Sequence, residues 1–377
     1  GSFDPELALN KDGALDYKGV RAQQANPNKA PYPLYVVKTT FDDDATQYCV
    51  RFLIEHVAAT QRLNDPKDNL ARQTLNRALS GMIRAQYPNG AWPERYDGSP
   101  RNLADYPVKA AEFTDDWPRQ WPADRQDDYM NYYTLNDRVM RDCISTMLLA
   151  SKKLGREDCL ASAKRGGDFL ILSQFPEPQP GWAQQYDSNM CPGWGRAWEV
   201  PGITSQESRT VLEGLLELYL VTGEEKYLKP INPAIAWLER SRIAPDTWSR
   251  YYEVGSNQPI YGTEDGRITN VIERAGYTWE SSFRIPEFIE KYNYIMTVGR
   301  DAWNADPRMN AATDHSANEA RIDRVIAELD AKGRWLTKGA LARKQPVLDK
   351  MISAKEFSKN MSYLCDWMRK EKEHEND

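Results

Sequence analysis

Asp42, Asp43 and Asp44 stand in a row, and Asp137 stands in a similar place further on, each just ahead of a stretch with helical periodicity. Carboxylates grouped without His or Cys suit a hard divalent cation such as Ca²⁺ better than a transition metal. Acidic residues at a helix start also serve as caps, so the row by itself supports both readings. The cations come next: Arg95 in PERY, Arg196 in PGWGRAWEVP, Arg250 in WSRYY, Arg267 in EDGRI and Arg274 in ERAGYTW. A guanidinium fork binds a carboxylate through two parallel N–H donors. Trp and Tyr are interleaved with these charges, so a ligand that is both flat-faced and anionic would find partners.

Other chemistries have less to work with. The three His (His56, His315, His374) are too scattered for a zinc site or a Ser/His/Asp triad. The five Cys (Cys49, Cys143, Cys159, Cys191, Cys365) show no CxxC spacing, and Cys49, Cys143 and Cys365 lie in apolar helical stretches that predict buried thiols. A net charge of −6 argues against a nucleic-acid partner. No apolar run is long enough to cross a membrane. The chain holds 12 Trp and 20 Tyr, which fits either an aromatic core or sugar-stacking surface.

Stepping along the chain, periodicity predicts helices over 46–59, 68–85, 137–154, 159–173, 206–222 and 226–241, each with apolar residues at i, i+3, i+4 and i+7. Short links group them as three hairpins. Ahead of the first helices stand TTFDDDAT (39–46), YTLND (133–137) and ITSQES (203–208); after the second stand AQYPNGAWPERY (85–96), QFPEPQPGWAQQYD (174–187) and APDTWSRYYE (244–253). Each trailing segment carries Trp, polar residues, then Tyr. This is a diverged internal repeat. In a helical hairpin the start of the first helix and the end of the second lie at the same end, so three hairpins about an axis gather all six segments at one rim. Acids, arginines and stacking rings at that rim fit an acidic sugar polymer. Residues 248–285 alternate and turn, which predicts a β-like excursion or long loop. Two tail helices are predicted, over 320–331 and 353–370. A polar segment (1–34) wraps the surface of one domain (35–377).

Taken in order, TTFDDDAT, AQYPNGAWPERY, TLND, AQQYD, GRAWEVP, WSRYYEVGSNQPIYG, ERAGYTW and AELDAKGRWLT resemble the family 10 pectate lyases from about residue 39 to 368. The resemblance implies a mainly α fold, an incomplete α/α toroid of three helical hairpins with long loops and little β. It implies cleavage of polygalacturonate or a related pectin-class uronate polymer by Ca²⁺-assisted β-elimination. Carried over by motif, it implies metal- or substrate-facing acids at Asp42 and Asp137, carboxylate-binding arginines at Arg196 and Arg250, and a floor shaped by Asn136 and Asp187. Trp92, Arg95, Tyr186 and Arg274 are expected to bind substrate at the same rim. Action outside the cytoplasm, as a secreted, periplasmic or cell-surface monomer, is the expectation that goes with it. Arg250→Ala is expected to abolish turnover and leave the fold intact.

One position departs from the family pattern. Relatives carry the proton-abstracting Arg in a G-R-D-G turn, fourteen residues beyond the preceding Arg; this chain reads GTEDG, with Glu264 at that place. A carboxylate titrating near pH ~4.3 is a far weaker base than an Arg. Arg267, three residues on, is the substitute the sequence offers. Arg250, Glu264 and Arg267 are therefore the candidate catalytic residues. Three activities follow: a lyase using Arg267 or Glu264 as base; a glycoside hydrolase pairing Glu264 with Asp137 or Asp42; or a binding protein that kept the rim without the base.

Overall fold

The computed structural model describes residues 39–60, 66–98, 102–111, 119–122, 128–306, 319–339 and 348–351, with short stretches between 356 and 364. The expected N-terminal wrap (1–34) lies outside the described residues. The chain groups into two compact units, Thr39–His315 and Gly1–Lys38 with Ser316–Asp377.

The first unit is built from helix pairs: α1 (Ala45–Thr60) with α2 (Pro66–Ala85), α3 (Val139–Leu154) with α4 (Glu157–Leu172), and α5 (Ser205–Thr222) with α6 (Ile231–Arg240). The six predicted helices are all present, with ends shifted by a few residues. The first helices pack in a row, α1 on α3 and α3 on α5, and the second helices α2 and α4 pack beside them. The result is the incomplete α/α toroid. Apolar stripes account for the stacking: Val50, Ile54 and Val57 on α1; Leu75, Leu79 and Met82 on α2; Ile144, Met147 and Leu148 on α3. Cys143 is buried on such a stripe, but Cys49 is exposed, because it falls off the stripe of Val50, Ile54 and Val57 on α1. Cys365 lies outside the described residues.

A seventh long helix, α7 (Ile285–Val298), continues the row by packing on α5. It lies beyond the six that periodicity predicts. Its buried stripe of Ile285, Phe288, Tyr292 and Ile295 has helical spacing, yet Pro286 and the run Tyr292-Asn293-Tyr294 argue for a turn or strand. Proline is tolerated because it stands in the first turn, where its missing N–H has no acceptor to lose. A short α8 (Arg300–Ala305) follows.

The strands are brief. β1 (Thr39–Thr40) pairs with β2 (Arg95–Tyr96), and β3 (Tyr133–Thr134) pairs with β5 (Gln185–Tyr186). A five-stranded antiparallel sheet runs in the order β10 (Ile268–Thr269), β9 (Pro259–Gly262), β8 (Tyr251–Tyr252), β6 (Ile203–Thr204), β4 (Trp182–Ala183). β7 (Trp248–Ser249) pairs with β11 (Glu280–Ser281). The predicted excursion over 248–285 is therefore strand and turn.

The loop tryptophans have a structural reason. The Trp92 indole N–H donates to the Met82 carbonyl at 2.8 Å, Trp182 to Leu170 at 2.7 Å, and Trp248 to Leu238 at 2.6 Å. Each acceptor lies in the last turn of α2, α4 or α6, where carbonyls lack intrahelical partners. Each ring fills the core while its one polar atom closes the helix end. Tyr186 and Tyr252 act with them: their hydroxyls donate to the Ser173 and Ser241 carbonyls just past α4 and α6, and accept from the Ala183 and Ser249 N–H groups.

In the second unit α9 (Glu319–Ala327) fulfils the first predicted tail helix, and the Trp335 indole donates to Val325 at 2.6 Å in the same manner. β12 (Thr337–Gly339) pairs with β13 (Leu348–Met351). The helix predicted over 353–370 lies largely outside the described residues.

Trp92→Phe keeps an aromatic ring of smaller volume and removes the donor, leaving the buried Met82 carbonyl unmet. A loss of about 1–2 kcal/mol in chemical denaturation is expected; no loss would show that the indole N–H does not close α2.

Candidate active site

Three equivalent backbone hydrogen bonds fasten each hairpin's start to its end. The Phe41 N–H donates to the Glu94 carbonyl at 2.8 Å, Leu135 to Gln184 at 2.9 Å, and Ser205 to Arg250 at 3.1 Å. Strand pairing repeats the register: Thr40 opposite Arg95, Thr134 opposite Gln185, Thr204 opposite Tyr251. The expected rim is therefore present in these pairings. Two sets of equivalent positions follow. Three residues after each Thr stand Asp43, Asp137 and Glu207; two residues after each Trp stand Glu94, Gln184 and Arg250.

At two of the three helix starts the backbone is strained to aim its acids. Asp43 and Asp44 have φ of 51° and 61°, and Asp137 and Arg138 have 47° and 66°. Left-handed conformations of residues with a Cβ are uncommon and cluster where function demands them. The outcome is one cluster in which carboxylate oxygens of Asp42, Asp43 and Asp137 all lie within 4.8 Å of one another. Asp42 Oδ1 is buried and has no hydrogen-bond partner.

Such crowding disfavours ionisation. Burial first, then Asp42, Glu207 and Asp43, push the Asp137 carboxyl up to about 7 against the pull of Arg250. Burial and then Asp42 push Glu94 up to about 7 as well, with Glu199 and Asp137 adding to it. Asp42 is also raised, chiefly by burial and Asp43. Like charges packed this closely are relieved by taking up a proton or could be relieved by a cation. All the donors are carboxylate oxygens, which fit a hard ion such as Ca²⁺.

Beside the acids, three arginines share two aromatic plates. The Arg250 guanidinium lies 4.8 Å from the Tyr277 ring centre, and Arg274 lies 5.5 Å from the same ring. Arg274 also lies 4.1 Å from the Trp198 ring, and Arg196 lies 5.2 Å from it. Buried acids hold two of them from beneath. Arg250 pairs with Glu207 at 3.3 Å and donates to Gln206 at 2.9 Å. Arg196 pairs with Glu199. Glu207 and Glu199 are each 1% exposed. Burial is the largest single influence and opposes the charge on Arg250, but Glu207, Tyr251, Tyr277 and Asp137 together outweigh it and hold the guanidinium protonated well beyond the usual range.

The structure therefore brings Asp42, Asp137, Arg250 and Arg196 into one electrostatic neighbourhood: Arg250 acts on Asp137, and Arg196 on Asp42. Asn136 is buried at the position equivalent to Asp42, its N–H on the Gln184 carbonyl at 2.9 Å. Arg95 reaches back to Glu94 at 3.8 Å. Asp187 is half-buried and accepts from the N–H groups of Asn189 and Cys191 at 2.8 and 3.0 Å, which shapes that turn.

Other expectations need correction. Trp92 and Tyr186 are 0% exposed and have no face to offer a sugar; both are committed to closing helix ends. Arg267 points outward, paired with Asp265 at 2.8 Å and Glu273 at 3.2 Å, so it does not stand in for a missing base. Glu264 is exposed and sits 2.6 Å from Arg274 Nε. Arg250→Ala would leave Glu207 buried and unpaired, so the fold would not be spared. Sequence reasoning missed Glu94, Glu199, Glu207, Trp198 and Tyr277. The repeat itself held the signal for two: Glu207 matches Asp43 and Asp137, and Glu94 matches Arg250.

The fold is a toroid of helical hairpins that carries acids and stacked arginines together. A family model described as pectic acid lyase matches residues 10–247, more than half of the chain, and the chain belongs to that family of polysaccharide lyases. Among solved structures, a family 10 polysaccharide lyase from Cellvibrio cellulosa is similar at a TM-score of 0.51 and 18% identity, over 70% of this chain and 82% of that one. An aspartate-to-alanine mutant of a Cellvibrio cellulosa family 10 polysaccharide lyase, in complex with trigalacturonic acid, is similar at 0.50 and 17% identity, with the same coverage. A search of curated protein sequences finds no match. Among the described residues no helix is long and apolar enough to cross a membrane.

Asp137 and Glu94 bind protons more tightly in the folded chain than in the unfolded one. Their contribution to stability is therefore greatest below the ordinary carboxylate range and is lost as pH rises toward 7. In chelator, the thermal midpoint should be lower near about pH 8 than near about pH 5, and the gap should narrow in Asp137→Asn. An unchanged gap in that variant would remove Asp137 from the account.

Proposed function

We propose that this lyase cleaves a polygalacturonate-class polymer by β-elimination at the acid-and-arginine rim, with Ca²⁺ held by Asp42, Asp43 and Asp137. The observation that carries the reading is the pairing of a crowded acid cluster with arginines anchored from below. A uronate's C6 carboxylate is an anion that can bridge the two. The relative with trigalacturonic acid bound supports the ligand class.

The chemistry sets what these residues must do. The hydrogen on C5 is a poor acid, and its removal builds negative charge on the C6 carboxylate. Positive groups preorganised at that carboxylate stabilise the enolate-like state. Ca²⁺, when bound, would supply Lewis-acid polarisation of the carboxylate. Arg196, with its guanidinium half-exposed, and Arg250 supply N–H donors on the other side. Arg250 serves as fixed charge, since Glu207 keeps it protonated. Glu207 and Glu199 position their arginines rather than touch the sugar. The C5 proton passes to water at the open rim, the C5–H electron pair becomes the C4–C5 double bond, and the C4 oxygen departs with a proton returned from water. A hydrolase would need Glu264 free as a proton donor, whereas it is engaged with Arg274.

Asp43 is exposed, and Asn tolerates its left-handed backbone, so Asp43→Asn removes one ligand without burying anything new. The wild type should release unsaturated, ultraviolet-absorbing ends from polygalacturonate, and chelator should stop it. Ca²⁺ should raise the thermal midpoint of the wild type. In Asp43→Asn the Ca²⁺ requirement should rise by about tenfold or more. Reducing ends without ultraviolet absorbance would point to hydrolysis and end the proposal.

A further inference from the structure

Three arginines stand at the rim, and their partner acids do not sit alike. Glu199 and Glu207 are each more buried than the arginine they hold, so at Arg196 and Arg250 the guanidinium is the outer group of the pair. Glu264 is 66% exposed while Arg274 is 16% exposed, so here the acid is the outer group and the guanidinium the inner one. A sugar arriving over Trp198 and Tyr277 meets the Glu264 carboxylate before it meets Arg274.

The hairpin is fixed in that place. A Cβ on Gly262 would lie 2.2 Å from the Trp198 carbonyl oxygen, so only glycine lets β9 run this close to the Trp198 backbone. Gly266 (φ 80°) turns the chain back, its N–H donating to Thr263 at 3.1 Å. Glu264 is thus held against Arg274 by the turn that follows β9.

From Gly262 to Arg274 the chain has three acids, Glu264, Asp265 and Glu273, against two arginines. Val271 and Ile272 on the same stretch are exposed, at 58% and 49%. This lip is anionic and apolar, next to a cation-rich cleft. The whole segment also lies beyond the region matched by the family model, which ends at 247.

We propose that Glu264 sets substrate selectivity: by occupying Arg274 from outside, it makes that subsite take a neutral, methyl-esterified uronate in place of a free one. The inference rests on the lyase reading given above. A free carboxylate at this position would face Glu264, while a methyl ester brings no charge and can lie along Val271 and Ile272. The cleaved unit still presents its own carboxylate to Arg196 and Arg250. The preferred polymer is then partly esterified pectin, with free and esterified units in neighbouring positions.

The test compares kcat/KM on polygalacturonate and on partly methyl-esterified pectin for the full chain and for Glu264→Gln and Glu264→Asp. The wild type should favour the esterified polymer. Glu264→Gln should shift the ratio toward polygalacturonate by about tenfold, equivalent to ~1.4 kcal/mol, with an unchanged thermal midpoint, and Glu264→Asp should keep the wild-type preference. Equal ratios in wild type and Glu264→Gln, or a wild-type preference for polygalacturonate, would overturn the proposal. If neither polymer yields unsaturated ends, the lyase reading fails by itself. Calorimetric binding of trigalacturonate against its methyl ester, in wild type and Glu264→Gln, then decides the role of Glu264 separately.

Discussion

The backbone bond that closes each hairpin at the rim is the constraint on which the site depends. In each of the three repeats, an N–H at or just ahead of the start of the first helix donates to a carbonyl two residues past the tryptophan. Each bond by itself is worth only about 1 kcal/mol net. Its geometric effect is larger, because it fixes which side chains leave the rim beside one another. The donor residue precedes Asp42, Asn136 or Gln206, and the acceptor residue is Glu94, Gln184 or Arg250. The tryptophan and tyrosine tethers stiffen the accepting strand from behind, through carbonyls that the helix ends leave open. The charged cluster is thus a by-product of how the hairpins are closed, tuned by which residue stands at each equivalent position.

That tuning creates opposed fields over a short span. Hairpin one contributes chiefly acids, through Asp42, Asp43 and Glu94, with Arg95 beside Glu94. Hairpin three contributes a buried ion pair, Arg250 with Glu207. Removing two charges from water is costly, and such a pair adds little to stability. What it does is hold a guanidinium rigid and protonated beside Asp137, so the charge needs no reorganisation when a ligand arrives. The left-handed turns at Asp43 and Asp137 are the local strain that goes with aiming like charges at one point.

Much of this was legible in the residues. Helical periodicity located six helices, and the Thr and Trp flanks located the rim. Acids at the hairpin starts pointed to Asp42 and Asp137, and the motifs that resemble the family 10 pectate lyases named Asp42, Asp137, Arg196 and Arg250. Two kinds of information were hidden. Burial was one: Trp92 and Tyr186 read as a platform because a loop full of Pro and Gly suggests solvent, whereas an indole N–H seeking a helix-end carbonyl draws the ring inward. Direction was the other. Glu264 and Arg267 are three residues apart in a tight turn, and spacing cannot say that one covers Arg274 while the other turns out to Asp265. Helix α7 was obscured by a proline whose position, at the first turn, makes it harmless.

The division of labour between repeated and unrepeated segments follows from the same physics. The three hairpins are locked to one another by packing and by the rim bonds, so a change of charge type there alters the whole cradle, and a buried partner such as Glu207 or Glu199 is left unpaired when its arginine is lost. The excursion between β9 and Arg274 is under no such restriction. It is anchored by a close backbone approach at Gly262, and its charged tips are solvated. A substitution of charge at Glu264 therefore costs the fold little while changing what an incoming sugar meets first. A scaffold that must keep its cleavage chemistry can vary the decoration it accepts only at a place of this kind, where one exposed carboxylate stands between the solvent and a stacked guanidinium.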